Sequence, residues 1–595
     1  MKEHLVDLIL ERAAHYGSRE VFKFKKNYST NYECLSWNQL AIEIQNVSKA
    51  LLSFGFGEKD NIGIFSDNRP EWTISDFGIL GVRGVVVPLY ATASKQQLKY
   101  IVDETKMSLI FVGNNDQYEK ALWLLDNTET INKVVVYDPD VEINNDKCLD
   151  WKSFCSLAQS KDYTYELTKI MKDSQPEDLA TIIYTSGTTG EPKGAMLDHA
   201  TFFYCFRIHD ERLDISDSDV SACFLPLSHI FERTWTYYIL YKGATNVYFD
   251  NPREVIKQLP IIRPTLMCTV PRFFEKTYEG IQLELSKWSP IKQSIFNLAI
   301  NIGHKHSQYL SKNQNPPIGI KISHSIADEL VLKKLRNIFG GNTKFMPCAG
   351  AAISPALLRF FHATGIFITY GYGATETTAT VSCFKSKRYD FDTCGSIMSG
   401  VEVKISDDGE ILIKGSTVFK GYYNKPAETA KILIDGWYHS GDQGYITQFG
   451  DLVMTDRIKD LIKTSVGKYI SPQKIELMFT QDPFIEQILP IGDKHKFVTA
   501  LIVPSFKMLK KEVEKMGLQP MNNDELVANS KIIEFYQTRI DKIQEDVTPY
   551  ERVVKFKLLP EPFSIQNGML TSTLKIKRNK LIELYKTEID QMYSS

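Results

Sequence analysis

The sequence predicts a layered α/β protein with a small β unit and a compact α+β piece at its carboxyl end. Three observations carry that prediction. Between Ile62 and Tyr137, short apolar runs alternate with amphipathic segments, the pattern of parallel sheets covered on both faces. From Gly395 the texture changes to short β segments separated by Gly and Asp turns. At 595 residues the chain is also too long for one hydrophobic core.

In chain order, Leu5, Leu8, Ile9 and Ala13 fall at helical spacing and predict a helix over residues 3–15. Its polar face carries Glu3, Asp7, Glu11 and Arg12 and is not basic, so core packing is its expected use. A second helix runs from Trp37 to Phe54. Strands at 62–65, 84–89, 108–112 and 134–137 alternate with helices at 72–80 and 95–104. Thr181–Tyr184 is a short buried strand. Residues 253–345 are expected to alternate helix and strand, with 307–315 a polar surface excursion. Met346–Ala352 and Ile368–Thr377 read as strands ending in small-residue turns, where open α/β sheets bind ligands. Strands at 401–405, 410–414, 445–447 and 452–454 make the β unit. Beyond Asp456 come strands at 460–464, 487–491 and 498–503 and charged helices near 506–517 and 528–546.

Composition narrows the function. The formal net charge is −2, so nothing marks a nucleic-acid surface. Nine scattered cysteines with no C-x-x-C argue against a disulfide framework or zinc site and fit a reducing compartment. The N-terminus lacks a signal-peptide pattern, and no run of about 18 uncharged apolar residues occurs. A soluble, cytoplasmic protein is expected; peripheral contact with the inner face of a membrane stays open.

The chemistry centres on Tyr184-Thr-Ser-Gly-Thr-Thr-Gly-Glu-Pro-Lys-Gly194. Glycines let a backbone approach a ligand closely, and successive N–H groups and hydroxyls make a cavity for an anion. Lys193 adds a point charge suited to phosphate. A Walker loop needs Gly-Lys-Ser/Thr, which this segment lacks.

Residues 184–197 resemble the phosphate loop of the adenylate-forming (AMP-binding) superfamily, which includes acyl-CoA synthetases, luciferases and adenylation domains. Four further segments follow in that family's order: Gly371–Glu376, Trp437–Asp442, the hinge-like Asp456–Lys463, and Leu570–Arg578. Leu225-Pro-Leu-Ser-His-Ile-Phe-Glu-Arg233 and Asn68-Arg-Pro-Glu-Trp72 look most like long-chain fatty acyl-CoA synthetases.

The resemblance implies a reaction and a site. A fatty carboxylate attacks the α-phosphate of ATP, pyrophosphate leaves, and the acyl-adenylate passes its acyl group to coenzyme A. Both reactants of the first step are anions, so catalysis is largely charge neutralisation and alignment. Thr185, Ser186, Gly187, Thr188, Thr189, Gly190 and Lys193 should hold the β- and γ-phosphates. Glu376, with Thr185, is expected to hold Mg²⁺. Gly350, Ala351, Ala352, Tyr370, Gly371 and Tyr372 suit an adenine slot, and Gly373 and Thr375 join the nucleotide-binding set. Asp442 should accept from the ribose hydroxyls, with Arg457 assisting; Lys459 and Lys463 of the hinge segment join the nucleotide-binding set. Lys575 should stabilise charge at the reacting oxygen. His229 stands evenly between a carboxylate-side group and a core histidine, and Phe231 and Trp235 between tunnel gates and packing. Val466 stands where relatives usually have a glycine, and Leu574 where many do.

By the same resemblance, the N-terminal domain (1–455) holds ATP and the fatty acid. A mobile C-terminal domain (456–595) brings Lys575 and the coenzyme A contacts, rotating between the two half-reactions. Two rivals remain: an enzyme that stops at the adenylate or loads a carrier protein, and a nucleotide-binding pseudoenzyme. Joint retention of Lys193, Glu376, Asp442 and Lys575 argues against the second.

Overall fold

The computed structural model describes residues 3–25, 31–185, 191–249, 251, 254–458, 460–465, 468–564, 566–571 and 576–594. The first sheet has seven strands in the order Cys148–Asp150, Lys133–Val136, Leu109–Val112, Asn61–Phe65, Val85–Leu89, Leu179–Thr185 and Lys193–Asp198. Only the last pair is antiparallel. Every residue of Val85–Leu89 is buried, as the continuous apolar run requires of a strand covered on both faces.

A second sheet orders Leu266–Met267, Val220–Cys223, Thr245–Tyr248, Glu20–Lys25 and Tyr32–Ser36. Parallel bridges from Leu266 to Phe345 and from Thr269 to Cys348 continue it into the strands Met346–Cys348 and Ile368–Tyr372. One hydrophobic core runs from Val86 and Phe111 of the first sheet, through Trp72, Phe77 and Tyr237, to Val247 of the second. The helix Pro70–Gly81 lies in that core with every residue but Glu71 buried. An apolar all-round helix can only be an interior one. It crosses the helix Trp37–Ser53 closely, since a Cβ on Gly78 would sit 2.3 Å from Val47 Cγ1.

The β unit pairs Val401–Ile405, Glu410–Gly415, Trp437–Ile446 and Leu433–Ile434 antiparallel, with Leu452–Arg457 added on the long strand. The smaller C-terminal domain is a three-stranded sheet, Ile485–Ile491, Val498–Pro504 and Val553–Leu558, backed by helices that include Pro472–Phe479 and Ser530–Ile543. All nine cysteines are free. Among the described residues no helix is long and apolar enough to cross a membrane.

The elements expected before residue 250 appear within a few residues of their predicted ends. The expected alternation over 253–345 does not. That region is helical (Val255–Ile262, Pro271–Leu285, Pro290–Ser311, Ile318–Ala327, Lys333–Asn337) with one two-residue strand, Leu266–Met267. The polar excursion expected at 307–315 is confined to the exposed turn at 312–315, because Ser307 and Ser311 are the buried side of a 22-residue helix. Its buried stripe is Phe296, Ala299, Gly303, Ser307 and Ser311, mostly residues too small to register as apolar periodicity. They are small because the helix packs tightly; a Cβ on Gly303 would meet Ala363 O at 2.1 Å. The strand Val553–Leu558 alternates Lys with apolar residues and was not anticipated.

Candidate active site

The carboxyl ends of Leu179–Thr185, Met346–Cys348 and Ile368–Tyr372 open onto one cleft of about 3400 Å³, closed on its far side by the C-terminal domain. A site for a single small ligand holds roughly 300–1,000 Å³, so this space exceeds what one small ligand needs.

At one end, Lys193 leads the antiparallel edge strand and lines the cleft with Thr185. Its Nζ lies 2.5 Å from Glu428 Oε2 and 5.3 Å from the Tyr422 ring centroid. The Lys193 and Lys431 ammonium groups pull the Glu428 carboxyl down to about 2. Tyr422 donates to Glu376 Oε1 at 2.7 Å, and Glu376 O accepts from Phe419 N. Glu376 is only 8% exposed yet faces the cleft, held in a short 3₁₀ turn Thr375–Thr377. That turn packs so closely that a Cβ on Gly373 would fall 1.7 Å from Ala379 O. Gly371 and Gly373 are therefore needed for the turn itself, as well as for lining the cleft.

Further along, Asp442 is 5% exposed and accepts from Tyr372 Oη at 2.6 Å. Antiparallel register puts Arg457 directly opposite Asp442, with Nε 3.3 Å from Oδ1. Burial and the Asp442 carboxylate together push the Tyr372 hydroxyl well above its ordinary range. Gly350, Ala351 and Ala352 follow the strand Met346–Cys348 at the cleft edge, and Tyr370 donates to Ala351 O at 3.3 Å.

The two segments carrying the long-chain resemblance meet in space. Asn68 Nδ2 donates to Leu225 O at 2.7 Å, and Leu227 N donates to Asn68 Oδ1 at 3.0 Å. This clamp presents Ser228 and His229 to the cleft. His229 also caps the helix Ile230–Tyr241, its Nδ1 accepting from Phe231 N at 3.2 Å. Beyond it an apolar arm is lined by Phe231, Phe273, Ile281, Leu285 and Phe296. Trp235 is no gate: it is buried and donates to Ser221 Oγ at 2.9 Å.

Some expected residues are not brought together. Lys463 is exposed over the Tyr469 ring and does not line the cleft. Ser186 to Gly190, Lys459, Val466, Leu574 and Lys575 lie outside the described residues. Lys577 and Arg578, just after Lys575, do line the cleft, and burial lowers the Lys577 ammonium. Sequence reasoning missed Tyr422 and Glu428, whose partners Glu376 and Lys193 lie 46 and 235 residues away.

A family model described as AMP-binding enzyme matches residues 9–423, and one described as AMP-binding enzyme C-terminal domain matches 459–595. The chain belongs to the AMP-binding enzyme family. The long-chain-fatty-acid–CoA ligase 5 of Rattus norvegicus is 31% identical over 95% of this chain and 85% of its own length. Fatty acyl-CoA synthetase A of Dictyostelium discoideum is 30% identical over 95% and 86%. Among solved structures, the adenylation domain of a carboxylate reductase from Mycobacterium chelonae superposes with a TM-score of 0.78 at 22% identity, covering 100% of this chain and 91% of that one. This AMP-binding enzyme thus has the architecture its sequence predicts, a large N-terminal domain followed by a smaller one.

The donor set fits the ions such an enzyme uses. Among the described residues no three His, Cys, Asp or Glu converge on a metal position. A single cleft-facing carboxylate such as Glu376 is compatible with Mg²⁺ when phosphate oxygens and water supply its other ligands.

Proposed function

We propose that this AMP-binding enzyme is a long-chain fatty acid–CoA ligase. It condenses a fatty carboxylate with ATP to an acyl-adenylate, releasing pyrophosphate, and then transfers the acyl group to the thiol of coenzyme A, releasing AMP. One observation carries the reading: a cation end, an acid–arginine pair and an apolar arm share a single cleft. The names of the relatives supply the substrate class and the acceptor.

In this reading the loop from Thr185 to Lys193 takes the β- and γ-phosphates, which replace Glu428 as the partner of Lys193. Glu376, oriented by Tyr422, holds Mg²⁺, which supplies charge neutralisation on the phosphates. Asp442 accepts from the ribose hydroxyls while Arg457 and Tyr372 fix its two oxygens. Gly350 to Ala352 and Tyr370 flank the adenine, and Ser228 and His229 border the carboxylate at the start of the apolar arm. Lys575 reaches the reacting oxygen from the C-terminal domain. The strand Leu452–Arg457 runs through the expected division at 455/456, so Arg457 stays with the large domain and rotation occurs about the segment that follows. We place the enzyme in the cytoplasm, with peripheral contact at the inner face of a membrane.

The test is fatty-acid-dependent exchange of pyrophosphate into ATP, followed by acyl-CoA formation on adding coenzyme A. Absence of exchange would overturn the reading; exchange without thioester would favour a carrier-protein acceptor. Lys575→Ala should abolish adenylation while sparing thioester formation from supplied acyl-adenylate. Equal loss of both half-reactions would refute the rotation.

A further inference from the structure

The helices Pro290–Ser311 and Ile318–Ala327 pack on each other and leave an apolar surface uncovered. On the first, Ile291, Ile295 and Leu298 recur one helical turn apart and are 74%, 48% and 61% exposed. On the second, Ile318, Ile322 and Ile326 do the same at 74%, 58% and 58%. Single exposed apolar residues are ordinary, but two such stripes on one pair of helices mark an interaction surface.

Charge selects the occupant. Residues 285–327 contain five lysines and no Asp or Glu, in a chain whose 72 acidic residues outnumber its 70 basic ones. Of those lysines only Lys287 has an acidic partner among the described residues, Glu284 just outside the run, at 2.6 Å. A symmetric contact with a second copy would set this stretch of lysines, free of acids from 285 to 327, against itself. Helices with exposed Ile and Leu, flanking lysines and a half-exposed tryptophan, Trp288, suit the interface of a bilayer bearing negative charge. The location agrees. Trp288 and Phe296, at the root of the pair, line the apolar arm of the cleft.

We propose that this helix pair seats on the surface of an anionic phospholipid bilayer. Its second role, admitting a fatty acid from the bilayer to the apolar arm, rests on the ligase reading above; the docking itself does not.

The experiment is flotation of the full chain with phosphatidylcholine–phosphatidylglycerol vesicles and with phosphatidylcholine vesicles, without ATP or fatty acid. The protein should float with the first, much less with the second, and be released by high salt. Two triple variants, Ile291→Ser/Ile318→Ser/Ile322→Ser and Lys292→Gln/Lys305→Gln/Lys321→Gln, should each cut the bound fraction roughly tenfold or more. All six positions lie outside the cleft, so acyl-CoA formation from a dissolved medium-chain acid should be unchanged in both. Failure of the wild-type chain to float, or flotation of both variants to the same extent as the wild type, overturns the proposal even if ligase activity is intact. A lower apparent mass of the isoleucine variant in size-exclusion chromatography also overturns it, by making the stripe a self-association surface. Flotation with no ligase activity would uphold the docking and refute only the ligase reading.

Discussion

Two clusters in this molecule use the same three residue types. Asp76, Arg233 and Tyr237 lie between the large sheets, the acid and the arginine fully buried. Asp442, Arg457 and Tyr372 line the cleft, the arginine side chain 37% exposed. In the interior cluster the partners consume one another. Arg233 meets both oxygens of Asp76, Tyr237 Oη donates to Asp76 Oδ2 at 2.6 Å, and Arg233 Nη1 donates to Thr181 Oγ1 at 2.6 Å. In the cleft cluster the arginine contact is a looser 3.3 Å. Residue type does not separate a structural triad from a binding one. Access does: a sealed triad has nothing left to offer a ligand, whereas one set in a cleft wall can trade a partner for a substrate hydroxyl.

The largest effect should come from opening the sealed cluster. Asp76→Ala leaves Arg233 charged and unpaired in the core, which costs about 3–5 kcal/mol. Urea unfolding should show that loss, and Asp76→Leu/Arg233→Met should recover most of it, because a buried pair exchanged for apolar residues is often neutral. An unchanged midpoint in Asp76→Ala would mean the cluster is not sealed.

The same substitution in the cleft should divide the other way. Asp442→Ala is expected to lower kcat/KM for ATP about 100-fold, the scale of losing charge-assisted hydrogen bonds to the nucleotide, with a thermal midpoint little changed. Pyrophosphate exchange against ATP concentration reads the first and calorimetry the second. A variant that unfolded instead would place Asp442 with Asp76.

These clusters also show what was legible in the sequence. Asp442 and Arg457 were identifiable because each lies in a segment resembling a family motif, and antiparallel register then brought them face to face. Asp76 carried no signal, since an acid in an apolar helix becomes explicable only when Arg233, 157 residues away, is seen against it. Parallel sheets were readable from continuous apolar strands. The helices over 253–345 were not, because Ala299, Gly303 and Ser307 pack by being small rather than apolar. Glu428 and Tyr422 were invisible for the same reason as Asp76: their chemistry is long-range.

A third buried acid sharpens the contrast, for it has no arginine. Glu232 is fully buried; Oε2 accepts from Leu225 N at 3.2 Å and Oε1 has no partner among the described residues. Burial pushes its carboxyl from 4.5 up to about 8. The folded protein therefore keeps a proton that the unfolded chain has released, and this contribution to stability, complete below about pH 4.5, is lost as pH rises through about 8. Glu232→Gln should remove that dependence. The difference in unfolding free energy between wild type and variant should shift by about 2 kcal/mol between pH 6 and pH 8, in favour of the variant at the higher pH. A pH-independent difference would mean that the acid is solvated or paired.

The smallest effects come from the two tyrosines, and they test the comparison most finely. Tyr237→Phe removes one donor from a carboxylate that water does not reach, so the loss should appear as stability, about 1.5 kcal/mol, with KM for ATP unchanged. Tyr372→Phe removes the equivalent donor, 2.6 Å from Asp442, where the cleft can admit water in its place. Stability should then move by less than about 0.5 kcal/mol, while KM for ATP rises roughly tenfold because Asp442 is no longer held in position. If both variants lost stability and kept KM, the cleft cluster would be as closed as the buried one, and the ribose assignment of Asp442 would fall with it.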